Sequence, residues 1–294
     1  MNPSVMRKLA KPMLFAAAII WGTSFFIMKN ALDVMPVFTL LAIRFTGGAA
    51  LMALVCWKKW RSFTRDYLWR GAVIGAFLFL AYLIQTFGLE RTTPSKNAFL
   101  TAVYCVLVPF LYWLVMKRRP DRYNILAAVL CVVGVGLVSF DGAFGVIATG
   151  DLLTLIAAGF YAAHIIAVEK VSPGKDIYLL TMLQFAFAGL YAWVGSAFEV
   201  FPAQALQQPG VFLPLLYLCV MPTTVALLFQ NVGQIWSDPA SASVILSLES
   251  VFGVLFSVAF GEDTVNTVMG IGFAVIFVAV LCSETKFSFL RKTK

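Results

Sequence analysis

Charge is scarce in this chain. Asp, Glu, Lys and Arg make up only 12% of its 294 residues, about half the share carried by a soluble domain. That leaves too little polar surface to cover a water-exposed globule, so lipid is the solvent for most of the chain. A mean hydropathy of +0.89, with 61% of residues hydrophobic, points the same way. Acidic residues are the scarcer sign, 14 against 22 basic, for a net charge of +8. That excess does not indicate nucleic acid. The basic residues fall in short runs between apolar segments, a pattern of membrane orientation and not of a soluble basic face.

Histidine occurs once, as His164, and the five cysteines are an odd number scattered singly through apolar runs. There is no CxxC pair, so metal and disulfide roles are not indicated, and the cysteines read as small buried hydrophobes. No P-loop pattern occurs, which excludes direct drive by ATP, and nothing calls for a cofactor. One histidine without paired intramembrane carboxylates is a poor basis for a membrane-embedded enzyme. The lack of extramembrane domains argues against a receptor or structural subunit.

What is present is a series of long apolar runs. A helix needs about 20 apolar residues to cross roughly 30 Å of hydrocarbon. That ruler gives ten spans, near residues 12–32, 37–57, 70–89, 95–116, 123–141, 150–169, 177–198, 211–235, 240–261 and 265–283. The first run is too long for a signal-peptide core and lacks a small-residue cleavage site, so it reads as a retained helix. Alternate loops differ sharply in charge. Eighteen of the 22 basic residues fall in one set of loops and tails and three (Lys29, Arg91, Lys96) in the other, with Arg44 inside a span. The positive-inside rule then predicts both termini in the cytoplasm and a multi-pass protein of the cell (inner) membrane.

The chain also repeats itself. A shift of 145 residues places Gln85 on Gln230, Gly88 on Gly233, Pro94 on Pro239 and "NAFLTAVYCVLVPF" on "ASVILSLESVFGVL". A shift of 140 places "PVFTLLAIRF" on "DIYLLTMLQF", hence Arg44 on Gln184, and Trp21 on Tyr161. Each half holds five spans. Because five is odd, the second half enters the membrane inverted. The expected units are 12–141 (spans 1–5), 150–283 (spans 6–10) and a basic cytoplasmic tail, 284–294. At the repeated turns, Thr93 and Asp238 are expected to cap the helices opened by Pro94 and Pro239, and Gly88 and Gly233 to end the helices before them.

Together with this ten-span duplication, "WGTSF" in span 1 and "GLERTTPSKNAFLTAVYCVLVPFL" through span 4 resemble the EamA family of the drug/metabolite transporter superfamily. The resemblance implies an all-α integral membrane fold, a basket of two inverted five-helix repeats around a central cavity. Spans 3, 4, 8 and 9 would line it, helped by spans 1 and 6. It also implies transport of a small metabolite, such as an amino acid, an amine or a choline-like compound. The expected activity is secondary transport by alternating access, with export of amino acids or related amine-bearing or amphipathic compounds; coupling and a monomeric or homodimeric state stay open.

Counting roughly 1.5 Å per residue puts Tyr104 and Glu249 near the midplane at repeat-related positions, with Trp21 and Tyr161 at similar depth. An acid there costs about 3 kcal/mol on insertion scales, so Glu249 needs a reason. It is a counter-charge for a substrate amine, a proton site, or a structural hydrogen-bonding group, for instance toward Arg44. Arg44 lies shallower, where it contacts substrate, gates, pairs or snorkels outward. His164 shares a face with Tyr161 and is either a proton relay or a structural group. Trp21, Tyr82, Tyr104 and Tyr161 are candidates for an aromatic wall around a cation or ring. Gln85, Gln230 and Asn231 supply amides, with Gln85 and Gln230 expected at closures on opposite faces. Membrane lipid and a small molecule are the expected partners. The small residues Ser243, Ser247, Ser250 and Ser257, like Gly71 and Gly75, read as close helix packing.

Overall fold

A computed structural model describes residues 3–117, 119–139, 147–237 and 239–286, and among these the regular structure is helical. Eight helices are long and apolar enough to cross a membrane, and two shorter apolar ones, Arg122–Val138 and Ile245–Ala259, complete the ten. Spans 1 to 3 are Pro3–Leu32, Val37–Val55 and Asp66–Glu90. Span 4 is Pro94–Thr101 followed by Tyr104–Met116, and span 5 is Arg122–Val138. Spans 6 and 7 are Thr149–Val171 and Ile177–Ser196. Span 8 runs from Pro209 to Trp236, span 9 is Pro239–Ala259 and span 10 is Thr267–Thr285. An even number of spans puts both chain ends at one face, here termed the terminal face.

The helix contacts carry the duplication. Span 1 packs on spans 8 and 9 as span 6 packs on spans 3 and 4, while spans 2 and 7, 4 and 9, and 5 and 10 pair with each other. Exchanging the two halves maps this set onto itself. Two five-helix repeats are therefore joined across a pseudo-two-fold axis, with neither half forming a separate bundle.

Helix ends show how few polar groups are spent, and how fully. Thr93 accepts from the Lys96 amide with Pro94 behind it, as its sequence predicts. Asp238 lies outside the described residues. Asp121 forms a capping box with Asn124, and Asp176 and Asn266 cap spans 7 and 10. Span 2 borrows its cap: Glu199, from the loop after span 7, accepts from the Phe38 and Thr39 amides at 2.9 and 2.8 Å. At the other polarity the Lys29 ammonium donates to the Leu89, Glu90 and Thr92 carbonyls that end span 3, at 2.8 to 3.1 Å. These contacts satisfy the backbone groups that helix ends leave without an intrahelical partner.

Several boundaries and roles differ from the sequence reading. Spans 1 and 3 begin earlier, at Pro3 and Asp66, and span 5 ends at Val138. Gly88 and Gly233 do not terminate helices, which continue to Glu90 and Trp236. They are points of close approach instead. A Cβ on Gly88 would lie 2.6 Å from Thr154 Oγ1 and 2.9 Å from the Gly150 carbonyl of span 6, and one on Gly233 2.7 Å from Leu14 of span 1. The echoed glycines thus sit at the two repeat-related crossings, span 3 on 6 and span 8 on 1. Gly71 and Gly75 meet span 7 in the same way, and Ser247, Ser250 and Ser257 are buried in packing. The cysteines are buried and free.

Two spans are irregular where sequence gave no warning. Span 4 breaks at Ala102–Val103, immediately before Tyr104. Span 8 widens into a π-helical turn at Cys219–Val225. Pro222 has no N–H to give, and the hydroxyls of Thr223 and Thr224 fill the gap by donating to the Leu218 and Cys219 carbonyls at 2.8 and 2.9 Å.

Candidate substrate cavity

The two irregular segments flank one cavity between the halves. Trp21, Tyr82, Tyr104 and Tyr161 line it, and so do Arg44, Gln85, His164, Gln230 and Glu249. Residues from spans 1, 2, 3, 4, 6, 8 and 9 thus converge, which includes the six spans expected from the family resemblance and adds span 2. Asn231 is elsewhere: its amide donates to Thr181 of span 7 at 2.8 Å.

The aromatic side is ordered by edge contacts. The Tyr82 ring meets Phe45 at 5.2 Å and Tyr161 at 5.4 Å, both near-perpendicular, and Tyr104 lies 6.2 Å from Tyr161. Trp21 is fixed differently. Its indole N–H donates to the Pro222 carbonyl at 2.9 Å, the acceptor exposed by the π-helical turn.

Arg44 does not snorkel. It is 1% exposed, its guanidinium carbon 4.7 Å from the Tyr82 centroid, with Nε donating to Thr223 Oγ1 and Nη1 to the Met28 sulfur. The planar cation is held by a ring face and one hydroxyl. Nor does it pair with Glu249. Among the described residues neither group has an opposite charge within 4.0 Å. Glu249, 7% exposed, makes no hydrogen bond to a described residue. The cavity therefore holds one positive and one negative group, each short of a partner, a costly arrangement in a low dielectric.

The neutral polar groups are better satisfied. Gln85 donates to Thr101 at 2.8 Å and accepts from the Tyr161 hydroxyl at 2.7 Å, joining spans 3, 4 and 6. The His164 Nε2 and Gln184 Oε1 lie 3.0 Å apart, a hydrogen bond that fixes the ring against span 7. Gln184 is the repeat counterpart of Arg44. Where the first half places a cation, the second places an amide that orients a histidine.

Beyond Gln85, at the face opposite the termini, lies a polar cluster that sequence reasoning missed. Asp151 is fully buried, accepts from Thr92 Oγ1 at 2.5 Å, and lies 3.8 Å from the buried Lys96 ammonium. Asn97 donates to Thr154 at 2.8 Å and to the Gln85 carbonyl at 3.3 Å. The signal was the polar run "RTTPSKN" facing a lone acid at the start of span 6. Charges flanking spans read as loop residues, and only packing reveals burial. In the sequence the repeat-related positions are Lys11, Leu14, Ser237, Ser241 and Ala242, so the Lys–Asp combination is not repeated at them.

Comparison with known proteins agrees with this geometry. A family profile described as "EamA-like transporter family" matches residues 9–140 and 148–285. A protein of Archaeoglobus fulgidus named "Uncharacterized transporter" is 34% identical over 278 residues, covering 94% of this chain and 86% of its own. "Uncharacterized transporter YvbV" of Bacillus subtilis is 22% identical over 274 residues, with 91% and 89% covered. A solved crystal structure superimposes with a TM-score of 0.69 over 97% of this chain and 98% of its own, at 18% identity, a likeness of fold alone.

Proposed function

The chain belongs to the EamA-like transporter family, a multi-pass membrane transporter, and from that premise we propose that it is a secondary carrier exporting amino acids or related amine-bearing, amphipathic molecules by alternating access. The observation that carries this reading is the unpaired Arg44 and Glu249 in one aromatic-walled cavity. A zwitterion supplies what each lacks: its ammonium meets Glu249 and its carboxylate meets the Arg44 fork. Trp21, Tyr82, Tyr104 and Tyr161 enclose the apolar part. Neither charge has to be built into a permanent bridge, so each is free to bind and release.

Glu249 also serves as the coupling site. A proton and a substrate ammonium compete for its carboxylate, which makes exchange of one for the other the driving step, with His164 as a second proton-binding group. The two units, 12–141 and 150–283, rock about the cavity. Gln85, backed by the Lys96–Asp151 cluster, closes the face opposite the termini, and Gln230 belongs to the closure at the terminal face. That terminal face is cytoplasmic, in the inner membrane; of the expected 284–294 tail, Glu284 and Thr285 belong to span 10 and 287–294 lie outside the described residues. A membrane-embedded enzyme is the poorer reading, since Glu249 is the one carboxylate among the described lining residues and His164 is bound to Gln184.

Counterflow in proteoliposomes tests the proposal. Vesicles preloaded with unlabelled amino acids are expected to accumulate the labelled substrate, and Glu249→Gln to reduce the rate at least tenfold with loss of its pH dependence. Absence of flux for amino acids, polyamines and quaternary amines alike would sink the carrier reading. Undiminished, pH-dependent flux through Glu249→Gln would remove that residue from its role.

A further inference from the structure

Between spans 2 and 3, on the terminal face, the segment Trp57–Ser62 ("WKKWRS") forms a 3-10 helix. Three residues per turn make side chains at i and i+3 eclipse, so the helix has three edges of different chemistry. Trp57 and Trp60 form the first, 67% and 55% exposed, extended by the exposed Phe63. Lys58 and Arg61 form the second, followed by exposed Arg65 at the start of span 3. Lys59 lies on the third, and of the three cations in the segment it alone meets a carboxylate, while the Lys58 ammonium lies 5.6 Å from the centre of the neighbouring Trp57 ring. The Lys59 ammonium is 2.6 Å from Asp176 and 3.8 Å from the centre of the Tyr178 ring, both at the start of span 7.

The corner therefore sorts its cations. Lys59 is neutralised by Asp176, and Arg70 and Lys175 share Asp66. Lys58, Arg61 and Arg65 have no carboxylate within 4.0 Å among the described residues, and the two acids that pair at this corner, Asp66 and Asp176, are already taken. Exposed Trp69 continues the aromatic edge on span 3. A loop facing bulk water has no use for exposed tryptophans. A helix facing acyl chains would not carry bare cations. Only the interfacial layer satisfies both edges at once.

We propose that this corner is a docking surface for anionic phospholipid headgroups. The phosphates are bound by Lys58, Arg61 and Arg65, and the Trp57 and Trp60 rings lie at the boundary between headgroups and chains. The choice of lipid over a soluble acidic partner rests on tethering. Spans 2 and 3 end on either side of a short loop flanked by lipid-exposed Leu54, Val55 and Leu68, so the segment cannot leave the interface. Pinned by Lys59 to span 7, a bound headgroup would also brace span 2 against span 7, a contact between the two halves. The inference does not depend on which substrate is carried.

Native mass spectrometry of the full chain, exchanged into mixed micelles containing phosphatidylglycerol and phosphatidylcholine, provides the test. The wild type is expected to retain phosphatidylglycerol selectively, and K58Q/R61Q/R65Q to lower that preference by about tenfold or more. The charge-conserving K58R/R61K/R65K should keep it, which separates lost charge from lost folding. In vesicles with bromine-labelled acyl chains, W57F/W60F should show less quenching of total tryptophan emission. Equal retention of the two lipids by wild type, or selectivity unchanged in K58Q/R61Q/R65Q, overturns the proposal. So does wild-type binding of soluble polyglutamate without lipid preference, which would mark a soluble acidic partner.

Discussion

Arg44 carries the sharpest conflict between stability and use in this molecule. It is buried against Tyr82, Thr223 and Met28 with no acid beside it, so its charge is stabilised by polarisable and dipolar neighbours alone. Replacing such a residue by an apolar one of similar volume is often neutral or stabilising. Arg44→Met is therefore expected to raise the melting temperature in detergent while abolishing counterflow of zwitterions. Arg44→Lys keeps the charge but not the planar fork, and should weaken apparent substrate affinity about tenfold with little effect on melting. Both read out in one preparation by thermal unfolding and counterflow. Sequence alone flagged Arg44 as a charge in a span. It does not decide whether the side chain snorkels or turns inward, because counting along one helix takes no account of what a neighbouring helix offers.

Elements meet at glycines, and span 6 supplies its own control. A Cβ at Gly150 would lie 2.6 Å from the Arg91 carbonyl carbon and oxygen, which are backbone and cannot move aside, whereas nothing lies within 4 Å of a Cβ at Gly159. Gly150→Ala should destabilise by about 1–3 kcal/mol through overpacking, and Gly159→Ala should be neutral or slightly stabilising. Thermal melts of the two variants side by side test this. At the start of span 5, Asp121 behaves as a surface acid with a job. Burial pushes its carboxyl upward, but the Lys286 ammonium at 2.5 Å and the Tyr123 and Asn124 amides outweigh that and hold it below the ordinary 3.8. A depressed folded value gives stability that is present above the unfolded value and lost as pH falls through the folded one. Melting temperature should thus drop on acidification below pH 4, and Asp121→Asn should flatten that drop while lowering stability at neutral pH. The cap residue Thr93 was legible locally, since a cap is a contact over two or three residues. Glu199 on span 2 joins positions about 160 residues apart and was not.

At the scale of the whole molecule, the repeat is symmetric in its helix contacts and asymmetric in its polar groups. The face opposite the termini is held by the buried Lys96–Asp151 pair and its Thr and Asn neighbours, whereas the related positions in the sequence are Ser241 and Lys11, with Leu14, Ser237 and Ala242 beside them. Removing the acid takes one partner from the buried Lys96 and the acceptor from Thr92. Asp151→Asn is expected to loosen that face, so that a cysteine at Gln85 labels faster with a membrane-impermeant thiol reagent added from that side. A cysteine at Gln230 should label more slowly from the terminal side. Parallel changes at both would contradict a single alternating path. The sequence by itself determined that the chain lives in lipid, crosses it ten times and says the same thing twice. These follow from local apolar length, loop charge and self-similarity, which need no knowledge of neighbours. Of the ten polar and aromatic residues singled out from the sequence, nine line the cavity and Asn231 does not, because polar side chains inside apolar runs are conspicuous. Only the tertiary structure decided that Arg44 and Glu249 are not each other's partners, that Gly88 is a contact point and not a stop, and that Asp151 is buried. Each depends on which helix face meets which, a matter settled by packing between residues far apart in the chain.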